Sequence, residues 1–134
     1  MLNQKKRIEV VAAVIIHDHK ILCVQRGDNK FDYISRKYEF PGGKIEQGET
    51  KKETIIREIK EELRMDIVPL EELETVEHEY PDFYLTMHSF ICESLIPEVH
   101  LTEHIDFKWL LVSELNELDW AGADLPIVAQ LMNT

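Results

Sequence analysis

The sequence predicts an α/β domain in which a mixed β-sheet lies between helices. Two runs rich in Val and Ile, residues 8–16 and 21–25, flank a polar turn and predict a β-hairpin at the start of the chain. Only residues 50–64 and Leu125–Met132 have helical periodicity. Strands and helices follow one another without a regular β-α-β repeat, which favours a mixed sheet over a parallel one.

The remaining elements follow from local signals. Residues 27–37 are polar with scattered aromatics, which is typical of a loop over a ligand site. The first helix begins at Thr50, which forms a capping box with Glu53. Two strands are predicted over residues 73–80 and 83–92, and a short one over 107–112. Asp124 is predicted to cap the last helix, which has Pro126 in its first turn.

Composition excludes several classes of protein. A length of 134 residues suits one domain, 1–134. The formal net charge of −11 argues against binding to nucleic acid, which needs clustered Lys and Arg. No run reaches the ~18 apolar residues that span a membrane. Cys23 and Cys92 lie in apolar stretches at no metal-like spacing. We therefore expect a cytoplasmic protein with reduced thiols, either a monomer or a homodimer.

The first predicted helix gathers acidic side chains on one stripe. Glu58, Glu61 and Glu62 lie three and four residues apart, so they fall within one turn of each other. Like charges at this spacing cost a few tenths of a kcal/mol per pair on an exposed helix. A divalent cation between the carboxylates would remove that repulsion. The alternative is a solvated acidic face balanced by Lys51, Lys52, Arg57 and Lys60.

A glycine-rich turn precedes this helix and completes a longer pattern. Paired glycines in Pro41-Gly42-Gly43-Lys44 let the backbone approach a ligand closely, and the lysine can reach a phosphate. Five residues separate Gly43 from Glu49, and seven more separate Glu49 from Arg57. Directly after that arginine comes the sequence Glu-Ile-Lys-Glu-Glu.

This spacing resembles the Nudix box, Gly-x5-Glu-x7-Arg-Glu-aliphatic-x-Glu-Glu-x-Gly-aliphatic, and the chain is similar to Nudix hydrolases. The resemblance covers the whole box except its final glycine, where Arg64 stands. That glycine serves the left-handed turn that ends the helix. We therefore expect Arg64 to cost stability or alter the loop, without affecting catalysis.

The resemblance implies an α/β/α sandwich and a metal-dependent mechanism. The implied ligands of Mg²⁺ or Mn²⁺ are Glu58, Glu61, Glu62 and the carbonyl of Gly43. Arg57 would orient the glutamates, and Glu49 would fix the junction between loop and helix. The cation would bridge the phosphates and lower the pKa of the attacking water.

Further stretches resemble the MutT-type nucleoside triphosphate diphosphatases, namely residues 39–46, 79–82, Trp109 and 124–126. This subgroup hydrolyses (deoxy)nucleoside triphosphates to monophosphate and pyrophosphate. The resemblance implies a nucleotide-pool sanitising activity of the 8-oxo-dGTP diphosphatase type. Glu103, six residues before Trp109, takes the place of a loop glutamate that serves as a metal ligand or general base. An ordinary loop carboxylate is the alternative for Glu103.

Six residues are expected to bind substrate: Arg26, Phe40, Lys44, Tyr80, Asp82 and Asp124. Phe40 and Tyr80 could stack on a base, and a place in the core is an equal alternative for each. Asp124 stands where the MutT-type proteins have an asparagine that reads oxidised guanine. An ionised aspartate only accepts hydrogen bonds, so it would favour an amino group such as that of cytosine.

The surroundings of Asp124 also resemble the CTP pyrophosphohydrolase branch, which leaves a CTP- or dCTP-type pyrimidine substrate as the alternative. Other Nudix substrates, ADP-ribose or dinucleotide polyphosphates, form a further alternative. A nucleotide sensor without activity would be expected to lack box glutamates, and none is missing.

Overall fold

The longest apolar run of the sequence forms the middle strand of a mixed sheet in a computed structural model, which describes residues 5–134. β1 (Lys6–His17) pairs in parallel with β7 (Phe83–Ser94) and antiparallel with β2 (Lys20–Gln25). Asp18 and His19 form the two-residue turn between β1 and β2 with positive φ angles of 52° and 66°. The predicted hairpin is confirmed.

Shorter strands extend this sheet on both sides. They are β3 (Tyr38–Glu39), β4 (Gly42–Lys44), β5 (Ile67–Glu72), β6 (Val76–Glu79) and β8 (Asp106–Leu110). β4 pairs with β1, β3 and β8 pair with β2, and β5 and β6 pair with β7. All of these pairings are antiparallel, so the sheet is mixed as predicted.

One helix covers each face of the sheet. Alternate residues of β1 point to opposite faces, as the period of a strand requires. On one face Val11, Ala13 and Ile15 pack against α1 (Lys51–Leu63). On the other face Ala12 and Val14 share a core with α2 (Leu125–Met132). The α/β/α sandwich is confirmed.

Three predicted strands have different boundaries in the structure. The strand predicted over residues 73–80 begins only at Val76, and the one over 83–92 continues to Ser94. The strand predicted over 107–112 ends at Leu110, and a 3-10 helix, Val112–Glu117, follows. The polar segment 27–37 is a loop, as predicted. No helix in residues 5–134 combines the length and apolarity needed to cross a bilayer.

The ends of α1 behave as the sequence indicates. Thr50 accepts a hydrogen bond from the backbone N–H of Glu53, whose carboxylate in turn accepts from the N–H of Thr50. At the other end Arg64 caps the helix in the left-handed conformation, with φ at 57°. This conformation brings the Cβ of an L-residue too close to the following carbonyl oxygen.

We therefore expect Arg64→Gly to raise the free energy of unfolding by about 0.5–1 kcal/mol. Glycine adopts positive φ without strain, and the greater freedom of its unfolded chain offsets part of the gain. Urea denaturation measures the change, with Lys60→Gly, in the body of the same helix, as the destabilising control. An Arg64→Gly variant less stable than wild type would contradict the prediction.

Candidate active site

Of the three glutamates on the acidic stripe of α1, two turn toward the sheet and the third turns to solvent. The side chains of Glu58 and Glu62 are each 16% exposed, whereas that of Glu61 is 60% exposed. Ile55, Ile59 and Leu63 bury the neighbouring face of α1 in the core and thereby fix this orientation. The structure places Glu62 in the cleft and Glu58 against Gly43, and it leaves Glu61 mostly exposed.

Gly42 and Gly43, which the sequence predicts as a turn, begin strand β4 instead, and Gly43 lies directly against Glu58. A methyl group on Gly43 would occupy the space of the Glu58 carboxylate, so only glycine allows this approach. Gly42 is equally constrained, because a Cβ there would collide with the backbone of Val11 across the β1–β4 pairing. The two glycines therefore place backbone beside the acidic side chains, as the sequence predicts.

Arg57 forms hydrogen bonds with three glutamates of the box. Its Nε and Nη2 donate to the two oxygens of Glu49 at 2.6 and 2.9 Å, which is a bidentate pair. Its Nη1 donates to Glu58 at 3.0 Å and to Glu61 at 3.2 Å. These contacts have the geometry expected of an arginine that orients glutamates.

Glu49 joins the loop to α1. Besides the arginine, it accepts hydrogen bonds from the Thr54 hydroxyl and from the Glu46 N–H. The bond from Arg57 is the main reason that the pKa of Glu49 falls to about 2. Glu49 is therefore a fixed carboxylate, consistent with its predicted place at the junction.

Glu62 has the most perturbed electrostatics of the box. Burial is the main cause that raises the pKa of this carboxyl, and its neighbours Glu58, Glu39 and Glu103 raise it further. Four carboxyls thus converge, and we call Glu39, Glu58, Glu62 and Glu103 the carboxylate cluster. Glu103, predicted from its place before Trp109, does lie in this group.

Sequence reasoning missed two residues of this region, Glu39 and His104. Glu39 belongs to a two-residue strand and accepts from Arg26 at 3.3 Å and from His104 at 2.9 Å. The side chain of His104 is only 6% exposed. Residue 39 lies four positions before Gly43, and its adjacency to the box was the one available signal. Nothing in the spacing of the loop marks His104.

Two adjoining cavities open beside the cluster. The large cavity, of about 400 Å³, has apolar walls on one side, and the polar cavity, of about 250 Å³, is lined by the loop after β2. They share five lining residues, Arg26, Glu39, Gly42, Glu62 and Glu103. Lys44 lines the large cavity as well. The cluster therefore lies between an apolar space and a polar one.

Phe40 and Tyr80 line the large cavity and also belong to the core. They are 3% and 5% exposed, and Phe40 packs on Trp120 with ring centroids 4.7 Å apart. The Tyr80 hydroxyl accepts a hydrogen bond from the N–H of Ala123. A place in the core and a place beside a bound base, the two alternatives for each of these aromatics, are therefore compatible.

Asp124 does not cap the last helix as predicted. It stands at the N-cap position, but its side chain makes no capping hydrogen bond. Its Oδ1 instead accepts from the backbone N–H of Phe40 at 3.0 Å, because the chain brings β3 and the start of α2 together. The carboxyl is 4% exposed and lines the large cavity. Burial, assisted by the charge of Glu39, raises its pKa well above the usual range.

Asp82 lies at the edge of the site. It lines neither cavity and accepts a hydrogen bond from the Tyr33 hydroxyl at 2.7 Å. Tyr33 stacks on Tyr80 on one side and on Phe31 on the other, with centroids 5.1 and 5.2 Å apart. Asp82 thereby contacts the loop over residues 27–37 beside Tyr80, a residue that lines the large cavity.

The donor set fits a hard divalent cation. The cluster offers only carboxylate oxygens, with the backbone of Gly42 and Gly43 beside them, and these are the ligands of Mg²⁺ and Mn²⁺. Within residues 5–134 no three acidic, His or Cys side chains already surround one point as a metal site. The carboxylates repel one another when ionised, and a bound cation would remove that repulsion.

Comparisons with known proteins agree with this geometry. A family model described as "NUDIX domain" matches residues 6–131. The chain is 29% identical over 126 residues to an 8-oxo-dGTP diphosphatase of Escherichia coli K12, covering 94% of this chain and 97% of that protein. It is 31% identical over 131 residues to a CTP pyrophosphohydrolase of the same strain, covering 95% and 93%.

A solved structure shares the fold over almost the full length. The solution NMR structure of the DNA mismatch repair protein MutT, a Nudix hydrolase from methicillin-resistant Staphylococcus aureus 252, superposes with a TM-score of 0.74. The two sequences are 40% identical, and the match covers 97% of this chain and 98% of that one.

Proposed function

The chain belongs to the NUDIX domain family and is a hydrolase of that family, and from this premise we propose that it converts nucleoside triphosphates to nucleoside monophosphates and pyrophosphate. The observation that carries the proposal is the large cavity. One part of this cavity is an apolar space wide enough for a base. The other part borders the carboxylate cluster, which is suited to phosphates that carry a bound cation. Residues 1–134 would form one catalytic domain.

Nudix hydrolases generally depend on a divalent metal, and we propose Mg²⁺ or Mn²⁺ here. Glu58, Glu62 and Glu103 would hold the cation together with the backbone oxygen of Gly43, and the exposed Glu61 would complete the set. When bound, the cation neutralises phosphate charge and lowers the pKa of the attacking water. Arg57 keeps Glu58 in place, and Glu49 keeps Arg57 in place.

The phosphates and the base would bind at different ends of the site. Arg26 and Lys44 are the cationic side chains that line the large cavity, so they would contact phosphate oxygens. Phe40 and Tyr80 would contact the base, and Asp124 would bond to its polar edge. Closure of the loop through Tyr33 and Asp82 would keep water from the base.

The chemistry of Asp124 supports a guanine-type base, and the named relative supports the oxidised form of that base. Its Oδ1 is occupied by the Phe40 N–H, which leaves Oδ2 for the ligand. A raised pKa favours the neutral carboxyl, whose O–H can donate to a carbonyl such as O6 of guanine. The neutral acid then offers the same acceptor and donor as an asparagine. A nucleotide-pool sanitising activity on 8-oxo-dGTP follows, in line with the named relative.

A CTP-type substrate is the second candidate. The relative named CTP pyrophosphohydrolase matches this chain over a similar length with 31% identity. An ionised Asp124 would accept a hydrogen bond from the amino group of cytosine.

The acidic net charge and the two buried free thiols support a cytoplasmic protein that binds no nucleic acid.

The test is pyrophosphate release from a panel of triphosphates. We expect equal amounts of monophosphate and pyrophosphate, with the highest kcat/KM for 8-oxo-dGTP among 8-oxo-dGTP, dGTP and CTP. Removal of the metal with EDTA should lower the rate ~1,000-fold, because the cation supplies several kcal/mol of charge stabilisation. Preferred cleavage of ADP-ribose or a dinucleotide polyphosphate would contradict the proposal.

A further inference from the structure

Glu39 occupies the boundary between the two cavities. It is a residue of the short strand β3, lines both the large and the polar cavity, and has a side chain that is 19% exposed. Its charge raises the pKa of both Glu62 and Asp124, so it lies near the phosphate end and near the base end of the site. No box position supplies this carboxylate.

Two side chains hold Glu39 in place from the cleft side. Arg26 donates to Oε1 at 3.3 Å, and the Nε2 of His104 bonds to Oε2 at 2.9 Å. Because a carboxylate only accepts, Nε2 carries the hydrogen. The loop before β8 thus reaches across to β3 through one buried imidazole.

The second ring nitrogen of His104 has no partner. Its Nδ1 is buried, makes no hydrogen bond and lies 3.8 Å from Oε2 of Glu62, which is beyond hydrogen-bond distance. A buried polar atom without a partner is costly, and such atoms are rare in folded proteins. The ring therefore points its free nitrogen into the carboxylate cluster, where a water molecule on a bound cation would donate to it.

We propose that His104 is a positioning residue that holds Glu39 toward Glu62, and that Glu39 is thereby a further carboxylate of the cation site. This inference rests on the proposed function, because it assigns an additional ligand to the same cation. Partners of this kind fix the orientation of a metal ligand, and their loss costs about 10–100-fold in metal affinity.

Binding of Mn²⁺ without nucleotide, followed by electron paramagnetic resonance, tests the inference. We expect both His104→Ala and Glu39→Gln to weaken Mn²⁺ binding about 10-fold. His104→Gln retains an N–H donor for Glu39 and should restore the Kd to within about 3-fold of wild type. The double variant Glu39→Gln/His104→Ala should bind no more weakly than Glu39→Gln alone, because the histidine acts through the glutamate.

His100→Ala is the matched control. It lies on the same loop, is half exposed and contacts only Glu98 through its side chain, so Mn²⁺ affinity should stay at the wild-type value. A purely structural His104 would lower the thermal midpoint in EDTA and leave the Mn²⁺ Kd of the folded variant unchanged. Activity supplies a second readout: kcat should fall, with KM for the triphosphate nearly unchanged.

The outcomes separate this inference from the proposed function. If wild-type protein binds no Mn²⁺, both fail. If it binds Mn²⁺ and His104→Ala or Glu39→Gln binds it equally well, only the role of the Glu39–His104 pair is overturned. Should His104→Ala not fold, Glu39→Gln alone decides, since it keeps the size and shape of the side chain.

Discussion

A Glu62→Gln variant is expected to hydrolyse nucleoside triphosphates at least ~100-fold more slowly than wild type at saturating Mg²⁺. Glu62 is the box glutamate that lines both cavities, and it faces Glu58, Glu39 and Glu103. Glutamine has the same size but no charge, so the cation would lose an anionic ligand at the centre of the cluster. Pyrophosphate release under steady-state conditions gives kcat.

The same variant is expected to be more stable than wild type in the absence of metal. In the folded protein the pKa of Glu62 is raised above its ordinary value of 4.5, so wild type loses stability as the pH rises above that value. Glutamine removes this penalty, and its Tm in EDTA should exceed that of wild type by a few degrees at pH 7. The difference should vanish toward pH 4, where Glu62 is protonated in both folded and unfolded chains.

Glu61→Gln is the matched control on the same helix. Its side chain is mostly exposed, bonds only to Arg57 and lines neither cavity, so kcat should fall much less. Loss of activity together with a gain in Tm cannot come from unfolding. A Glu62→Gln variant with wild-type kcat, or with a lower Tm in EDTA, would contradict the assignment.

The sequence predicts α1 almost to the residue, because the signals that bound a helix are local. Thr50 and Glu53 form their capping box within four residues, and Arg64 ends the helix in the conformation that the box glycine would take. β5 was not predicted, because its sequence carries no clear local signal of a strand. Pro69 interrupts it, and exposed Val68 and Leu70 give it no clear alternation.

The residues of the candidate site likewise differ in whether their contacts are local or long-range in the sequence. Glu58, Glu62 and Arg57 share one helix, so their spacing already places them together. Glu39 and His104 are 65 residues apart and meet only because β3 and the loop before β8 both border β2. The bond between Asp124 and the Phe40 N–H likewise spans 84 residues, and it replaced the local helix cap that the sequence predicts. Contacts of this range need the tertiary fold.

Asp124→Asn is expected to abolish the pH dependence of base preference. In the proposed complex the neutral carboxyl of wild type would donate from Oδ2 to a carbonyl of an oxidised purine, and the carboxylate form would accept from an amino group. Because the pKa of Asp124 is raised, the neutral form persists to higher pH than for an exposed aspartate. The ratio of kcat/KM for 8-oxo-dGTP to that for CTP should therefore fall as the pH rises through the folded-state pKa.

Asparagine keeps the acceptor for the Phe40 N–H and always presents a donor to the ligand. In the variant, the ratio of kcat/KM for 8-oxo-dGTP to that for CTP should stay at the value that wild type has at low pH. At high pH this ratio should therefore be roughly 10–100-fold higher in the variant than in wild type, which is the discrimination that one polar contact to a base commonly gives. Measurement of kcat/KM for both substrates over the range from acid to alkaline pH, each with saturating Mg²⁺, gives the two profiles.

Asp119→Asn provides the matched control, because that carboxylate is largely exposed, pairs with Lys37 and lines neither cavity. It should reproduce the wild-type profile. A ratio that rises with pH in the wild-type protein would show that Asp124 does not donate to the purine. A ratio that stays pH-dependent in Asp124→Asn would place base reading on another group of the large cavity, because an amide does not titrate in this range.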